Sequence, residues 1–161
     1  TYQKHKDDNR EKSLEKDAIL RQKDKRDAVN IRGLYLGMDI EMAKQVHEKI
    51  FGESLYIDQI GTGYSLRRQS NDPTQTFFVG IDADAKKKVK KIWLNCNVLF
   101  HAEDMSDQQF IDSFTRKYNI PRDKMKTVSY ENDLWDEYVS PNGYTLRIRG
   151  KKIELLYSPK L

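Results

Sequence analysis

From Ile31 onward, apolar positions recur with two periods, and each period occurs twice. Met42, Ala43, Val46, Ile50 and Phe51 are spaced three and four apart, which sets them on one side of a helix. Asp39 stands before them as an N-cap, Glu41 lies in the first turn where the helix dipole favours an acid, and Gly52 can end the helix in the left-handed region. The pattern predicts a helix of three to four turns over 39–52. Sixty-seven residues further on the plan returns. Met105 takes the place of Met38, Ser106 that of Asp39, and Tyr118-Asn119 that of Phe51-Gly52. Ser106 and Gln109 have the capping-box spacing. Phe110, Ile111, Phe114 and Tyr118 form the apolar face, and Pro121 prevents continuation.

The period-two segments keep the same offset. Phe77-Phe-Val-Gly-Ile-Asp82 precedes Tyr144-Thr-Leu-Arg-Ile-Arg149 by sixty-seven residues, so Val79 aligns with Leu146 and Ile81 with Ile148, and both read as strands. Each leads through a turn into another strand. The first passes Ala83–Lys88 into Val89–Asn95, and the second passes Gly150-Lys151-Lys152 into Ile153–Tyr157. Further strands are expected over Leu55–Ile60, Thr127–Tyr130 and Trp135–Val139. Two elements holding one offset argue for an internal repeat. The expected fold is therefore α+β, two tandem helix-plus-antiparallel-meander repeats over 31–100 and 101–161, following a charged helical arm or linker over 1–30. A unit of this size is marginal alone, so the two are expected to share an interface or one continuous sheet, with Val98-Leu99-Phe100 as hinge.

Composition sharpens this division. The 161 residues include 29 Lys and Arg against 25 Asp and Glu, a net charge of +4, and the mean hydropathy is −0.85. Residues 1–30 alone carry nine basic and seven acidic side chains. The body is nearly balanced, and much of the polar excess belongs to the arm. Asp8 with Lys12, Asp17 with Arg21 and Lys23 with Asp27 fall at helical spacing. Leu14, Ala18, Ile19, Leu20, Ala28 and Val29 make a broken stripe too thin for a coiled coil. The arm reads as a solvated helix or linker, or as a stalk that docks along Leu14, Ile19 and Leu20. Because the chain begins at Thr1, a signal peptide, a lipid-anchored cysteine, a membrane segment or a chosen boundary can each lie upstream.

Candidate chemistry is sparse. One cysteine, Cys96, leaves no disulfide framework and no multi-cysteine zinc site; it reads as a half-buried thiol at a strand end. His101-Ala-Glu103-Asp104 lacks a second histidine or a thiolate for a metal. Asp82-Ala-Asp84 lacks the glycine and closing Glu of a calcium loop. Gly61-Thr-Gly63 has no third glycine and no following helix, so it is no dinucleotide fingerprint. Neither a nucleophile elbow nor a Cys/His pair is present. Nothing positive argues for an enzyme or for a cofactor, although carboxylate pairs for hydrolysis remain a third class. Lys86, Lys87, Lys88, Lys90 and Lys91 place five lysines in six positions, suited either to an anionic surface or nucleic acid or to a solvated hairpin tip.

Ile31-Arg-Gly-Leu-Tyr-Leu-Gly37-Met38-Asp39-Ile-Glu-Met-Ala43 resembles the opening motif of the SmpA/OmlA and β-lactamase-inhibitor-protein (BLIP-like) superfamily. There a glycine, a methionine and a cap residue start the helix. In physical terms Gly37 gives the turn, Met38 packs beneath it and Asp39 caps. The second unit keeps Met105-Ser106 but has Asp104 in place of the glycine. The resemblance covers the two helix starts and the strand pattern over roughly 29–157. It implies a non-enzymatic bacterial domain, periplasmic or in the cell envelope, that binds another protein through a concave sheet face rich in aromatics. An assembly lipoprotein, an inhibitor or an immunity-type protein would all fit. On this chain Tyr64, Trp93, Trp135, Tyr138 and Tyr144 are the residues placed to serve, with core packing as their other role. The membrane would be reached only through an anchor upstream of Thr1. The alternative function is a nucleic-acid or anionic-surface binder acting through the Lys86–Lys91 hairpin.

Overall fold

The computed structural model describes residues 12, 29–52, 54–68, 79–99 and 102–159. The elements in chain order are α1 (Ile40–Phe51), β1 (Leu55–Ile60), β2 (Gly63–Arg68), β3 (Val79–Ala83), β4 (Val89–Asn95), α2 (Cys96–Leu99), α3 (Asp107–Lys117), a single 3-10 turn (Arg122–Lys124), β5 (Lys126–Tyr130), β6 (Asp133–Val139), β7 (Tyr144–Arg149) and β8 (Lys152–Tyr157).

The expected caps are in place. Asp39 accepts the Glu41 amide at 2.8 Å, and the Gly52 amide, at φ 69°, donates to the Glu48 carbonyl. Ser106 and Gln109 close a reciprocal capping box at the start of α3. The segment before α1 is tied to the sheet through the Gly37-Met38 pair. Gly37, at φ 88°, donates its amide to the Val89 carbonyl at 2.7 Å, and Val89 donates back to Met38 at 2.8 Å. The buried Met38 sulfur accepts the Tyr35 amide. A positive φ that glycine alone adopts without cost thus lets the chain turn from its contact with Val89 into α1.

All eight strands form one antiparallel sheet in the order β1-β2-β3-β4-β8-β7-β6-β5. Sequential strands pair from each edge inward, and the two runs meet where β4 pairs β8, Ile92 opposite Leu155 and Leu94 opposite Ile153. This corrects the α+β expectation. Strands hold nearly twice as many residues as helices, and the chain is mainly β rather than two tandem helix-plus-meander repeats. The reason lies at the central pairing. Ile92, Leu94, Ile153 and Leu155 are fully buried there, so one core runs across the junction of the two expected units, within one continuous sheet. The sixty-seven-residue offset locates the starts of α1 and α3, but it does not split the molecule into two bodies.

Strand alternation assigns the two faces. Leu66, Ile81, Ile92, Leu94, Leu155, Ile153, Leu146 and Ile148 point to one side and join Ile40, Ala43 and Val46 of α1 and Phe110, Ile111 and Phe114 of α3 in one cluster. The opposite side, called here the open face, takes the alternate residues.

Smaller expectations also change. Strand β2 was not anticipated; Gly61-Thr62 is a two-residue turn joining it to β1, with Ile60 opposite Gly63. A β-carbon on Gly63 would stand 2.6 Å from the Ala83 carbonyl oxygen, so only glycine fits where β2 meets the end of β3. Of the expected hinge residues, Val98 and Leu99 lie in the helical turn α2, and Phe100 lies outside the described residues. Cys96 is fully buried rather than half-buried, and burial pushes its thiol up. The charged arm lies outside the described residues except for Lys12, helical and exposed, and the buried Val29 and Asn30. No described helix is long and apolar enough to cross a membrane.

Candidate functional site

The register of the pairings lays out the open face in rows. One row runs Lys126, Glu137, Arg147, Glu154, Trp93 and Gly80, each directly opposite the next across six strands. Charge alternates along it until the indole. Arg147 Nε donates to Glu137 Oε2 at 2.8 Å and its Nη1 stands 3.7 Å from Glu154 Oε2, while Lys91 Nζ reaches Glu154 Oε1 at 3.9 Å. The Arg147 guanidinium also lies 4.2 Å from the centre of the Tyr130 ring, a cation–π contact. Glu154 is only 6% exposed, so its charge is held by these cations rather than by water. Next to it Trp93 stands opposite Gly80, where a β-carbon would meet Trp93 Cβ at 3.7 Å and Cε3 at 3.8 Å, ordinary packing distances.

A second row, Val139, Thr145, Leu156, Lys91, Asp82, Ser65 and Asp58, crosses seven strands. Ser65 donates its hydroxyl to Asp82, and Arg67 pairs with Asp58 at 3.4 Å. Among the described residues the large hydrophobics left exposed are Tyr56, Ile60, Leu134 and Val139. Tyr56 and Ile60 share the side of Asp58 on β1, so they and Val139 belong to the open face. Arranged this way, the face offers aromatic and aliphatic surface framed by fixed charges of both signs.

The five aromatics named from the sequence divide between the two faces. Trp93 and Trp135 lie on the open face, Trp135 opposite Val128, and the buried Trp135 Nε1 has no hydrogen-bond partner among the described residues. Tyr138 and Tyr144 lie on the helix face, buried, with ring centres 6.2 Å apart at a T-shaped angle. Burial pushes the Tyr144 hydroxyl up, against a hydrogen bond from Ser140 that pulls it down, and Tyr138 adds a smaller upward push. Tyr64 also faces the helices, with Lys87 Nζ 5.4 Å from its ring centre. What sequence reading missed was Glu137, Arg147 and Glu154. The sign was a single charge between Leu146 and Ile148 and another between Ile153 and Leu155.

The five lysines do not converge. Lys88 lies 3.9 Å from Asp39 at the start of α1, and Lys91 turns to Glu154 on the open face. Lys87 extends over Tyr64 on the helix face, and Lys90 stands at the register shift between β3 and β4. Asp84 Oδ1 accepts the amides of Lys86 and Lys88, so the Asp82–Asp84 pair closes a hairpin and a hydroxyl contact. His47 is buried on α1 with its ring 4.5 Å from Phe51. His101 lies outside the described residues. No group of three His, Cys, Asp or Glu suited to a metal occurs among the described residues.

A polar cleft of about 740 Å³ opens at one end of the sheet. Asn95, Asn97, Asp107, Asn132, Arg149 and Lys152 are among its lining residues. Arg149 pairs there with Asp133 at 3.1 Å. Comparison of the chain with protein-family models, with curated proteins and with solved structures finds no match in any of the three.

Proposed function

We propose that this chain is a non-enzymatic protein-binding module of the bacterial envelope or of the secreted complement, in the manner of an assembly lipoprotein, an inhibitor or an immunity-type protein. Its partner is received on the open sheet face. One observation carries this reading: the face turned away from both long helices carries the exposed Tyr56, Ile60 and Val139 beside the half-buried Trp93 and the buried Trp135. Exposed apolar surface inside a polar frame is what protein interfaces use. The alternating Lys126, Glu137, Arg147 and Glu154 favour a partner whose apolar anchor is flanked by both signs of charge. The envelope setting rests on the Gly37-Met38-Asp39 resemblance.

The test is recovery of a protein from bacterial envelope extract on the immobilised chain, followed by titration of that purified protein. Val139→Lys and Trp93→Ala should weaken binding, the latter by about 2 kcal/mol, as expected of a central aromatic anchor. Gln108→Glu and Arg116→Ala, exposed on α3, should leave it unchanged. A partner held equally by the open-face variants, or lost with the α3 variants, would overturn the assignment to this face.

A further inference from the structure

Both edges of the sheet end in short strands, yet they are protected very differently. On β5 the edge carries Lys126, Thr127 and Ser129, and it closes on Glu131-Asn132, both at positive φ. On β1 the sequence is Leu55-Tyr-Ile-Asp-Gln-Ile60, with no lysine, no proline and no register shift. Its one charge, Asp58, is already taken by Arg67 of the neighbouring strand. Tyr56 and Ile60 stand 41% and 45% exposed. Natural edges are blunted by charge, proline or bulges; β1 has no proline and no bulge, and its single charge is paired within the sheet.

The turn fixes which of its backbone groups point outward. In a two-residue hairpin the flanking pair, here Ile60 and Gly63, is hydrogen-bonded. Ile60, Asp58 and Tyr56 therefore bond inward to β2, and Leu55, Ile57 and Gln59 present their amides and carbonyls outward.

We propose that β1 pairs antiparallel with β1 of a second copy of this chain, about a two-fold axis perpendicular to the sheet at Ile57. That register sets Leu55 opposite the second Gln59 and Ile57 opposite Ile57, so every outward amide and carbonyl of these three residues gains a partner. On the open face it sets Tyr56 opposite Asp58, a hydroxyl against a carboxylate. The neighbouring register, centred on Asp58, brings two aspartates face to face and is disfavoured. The strand is thus self-complementary in one register. The pairing yields one sheet of sixteen strands whose open faces lie on the same side. This inference is independent of the function proposed for that face.

Sedimentation of the full chain from micromolar to hundred-micromolar concentration tests it, with hydrogen exchange as a second readout. A reversible dimer is expected, with the amides of Leu55, Ile57 and Gln59 exchanging more slowly as concentration rises. Gln59→Pro removes an outward donor from an exposed residue without touching the β1–β2 ladder, and Tyr56→Lys places a guarding charge on the edge. Each should weaken the dimer about tenfold or more. Ser129→Pro, the matching change on β5, should leave it intact. A chain that stays monomeric over the whole range overturns the proposal. So does a dimer indifferent to both β1 variants, a dimer abolished by Ser129→Pro, or exchange at the three amides that is independent of concentration.

Discussion

Replacing Arg147 by Met tests whether the charged row of the open face is dry. Arg147 and its two carboxylates have side-chain exposures of 15%, 18% for Glu137 and 8% for Glu154. Removing the cation from such a group strands two acids and typically costs 3–5 kcal/mol. Lys91 still stands 3.9 Å from Glu154, which places the expected loss near the lower end, about 3 kcal/mol. For a chain of this size that is about 6–12 °C in melting temperature. The triple change Glu137→Leu, Arg147→Met, Glu154→Leu removes all three charges at once and should return stability to within about 1 kcal/mol of the parent. Glu154 Oε2 is buried without a hydrogen bond, so the native triad is not fully compensated and little is lost with it. Urea unfolding followed by tryptophan fluorescence reads this directly, since Trp93 stands in the row opposite Glu154 and Trp135 lies two residues before Glu137 on the same face. An Arg147→Met cost below about 1 kcal/mol, the range of a solvated surface pair, would refute the dry-face argument. A triple variant as unstable as the single one would refute it equally.

Three further outcomes follow from the fold. Gly63→Ala should cost about 2 kcal/mol in denaturant unfolding, because its β-carbon meets a backbone oxygen at 2.6 Å, whereas Gly80→Ala should stay within about 1 kcal/mol. Ser106→Ala should cost about 1 kcal/mol, and pairing it with Gln109→Ala should give less than the sum of the two, because the box is reciprocal. Stability should fall on the alkaline side: the neutral thiol of Cys96 and phenol of Tyr144 are both favoured by burial, so the unfolded chain releases their protons first. The loss should begin as pH rises through the ordinary thiol range near 9 and continue through the phenol range, and Cys96→Ala should remove its first part in a thermal-melt series.

Local chemistry was legible and long-range pairing was not. Asp39, Gly52, Ser106 and Gln109 announce helix ends through side-chain and backbone preferences that need no tertiary context, and all four act as their residue types require. Strand β2 was missed because Tyr64 and Leu66 supply only two apolar alternations after a glycine turn. That β4 meets β8 depends on which of several apolar edges find each other, and no local pattern encodes it. The candidate aromatics were legible in part, since strand parity alone separates them. Tyr64 shares its side with Leu66, and Tyr144 shares its side with Leu146 and Ile148, so both belong to the core. Trp135 and Tyr138, three apart, must point opposite ways. Ion-pair partners on neighbouring strands, such as Glu137 with Arg147, become visible only once the register is known.

The central place of β8 bears on how the molecule is made. It is the last of the eight strands to be synthesised, yet it lies in the middle of the sheet, where its Leu156 pairs with Lys91. Until it emerges from the ribosome, β4 presents an unsatisfied backbone edge flanked by Ile92 and Leu94. Closing a loop of that length costs roughly 4 kcal/mol in chain entropy before any contact offsets it. The nascent chain therefore passes through an interval in which its stickiest edge is bare, and slow translation or truncation before Lys152 would favour aggregation over a partly active product.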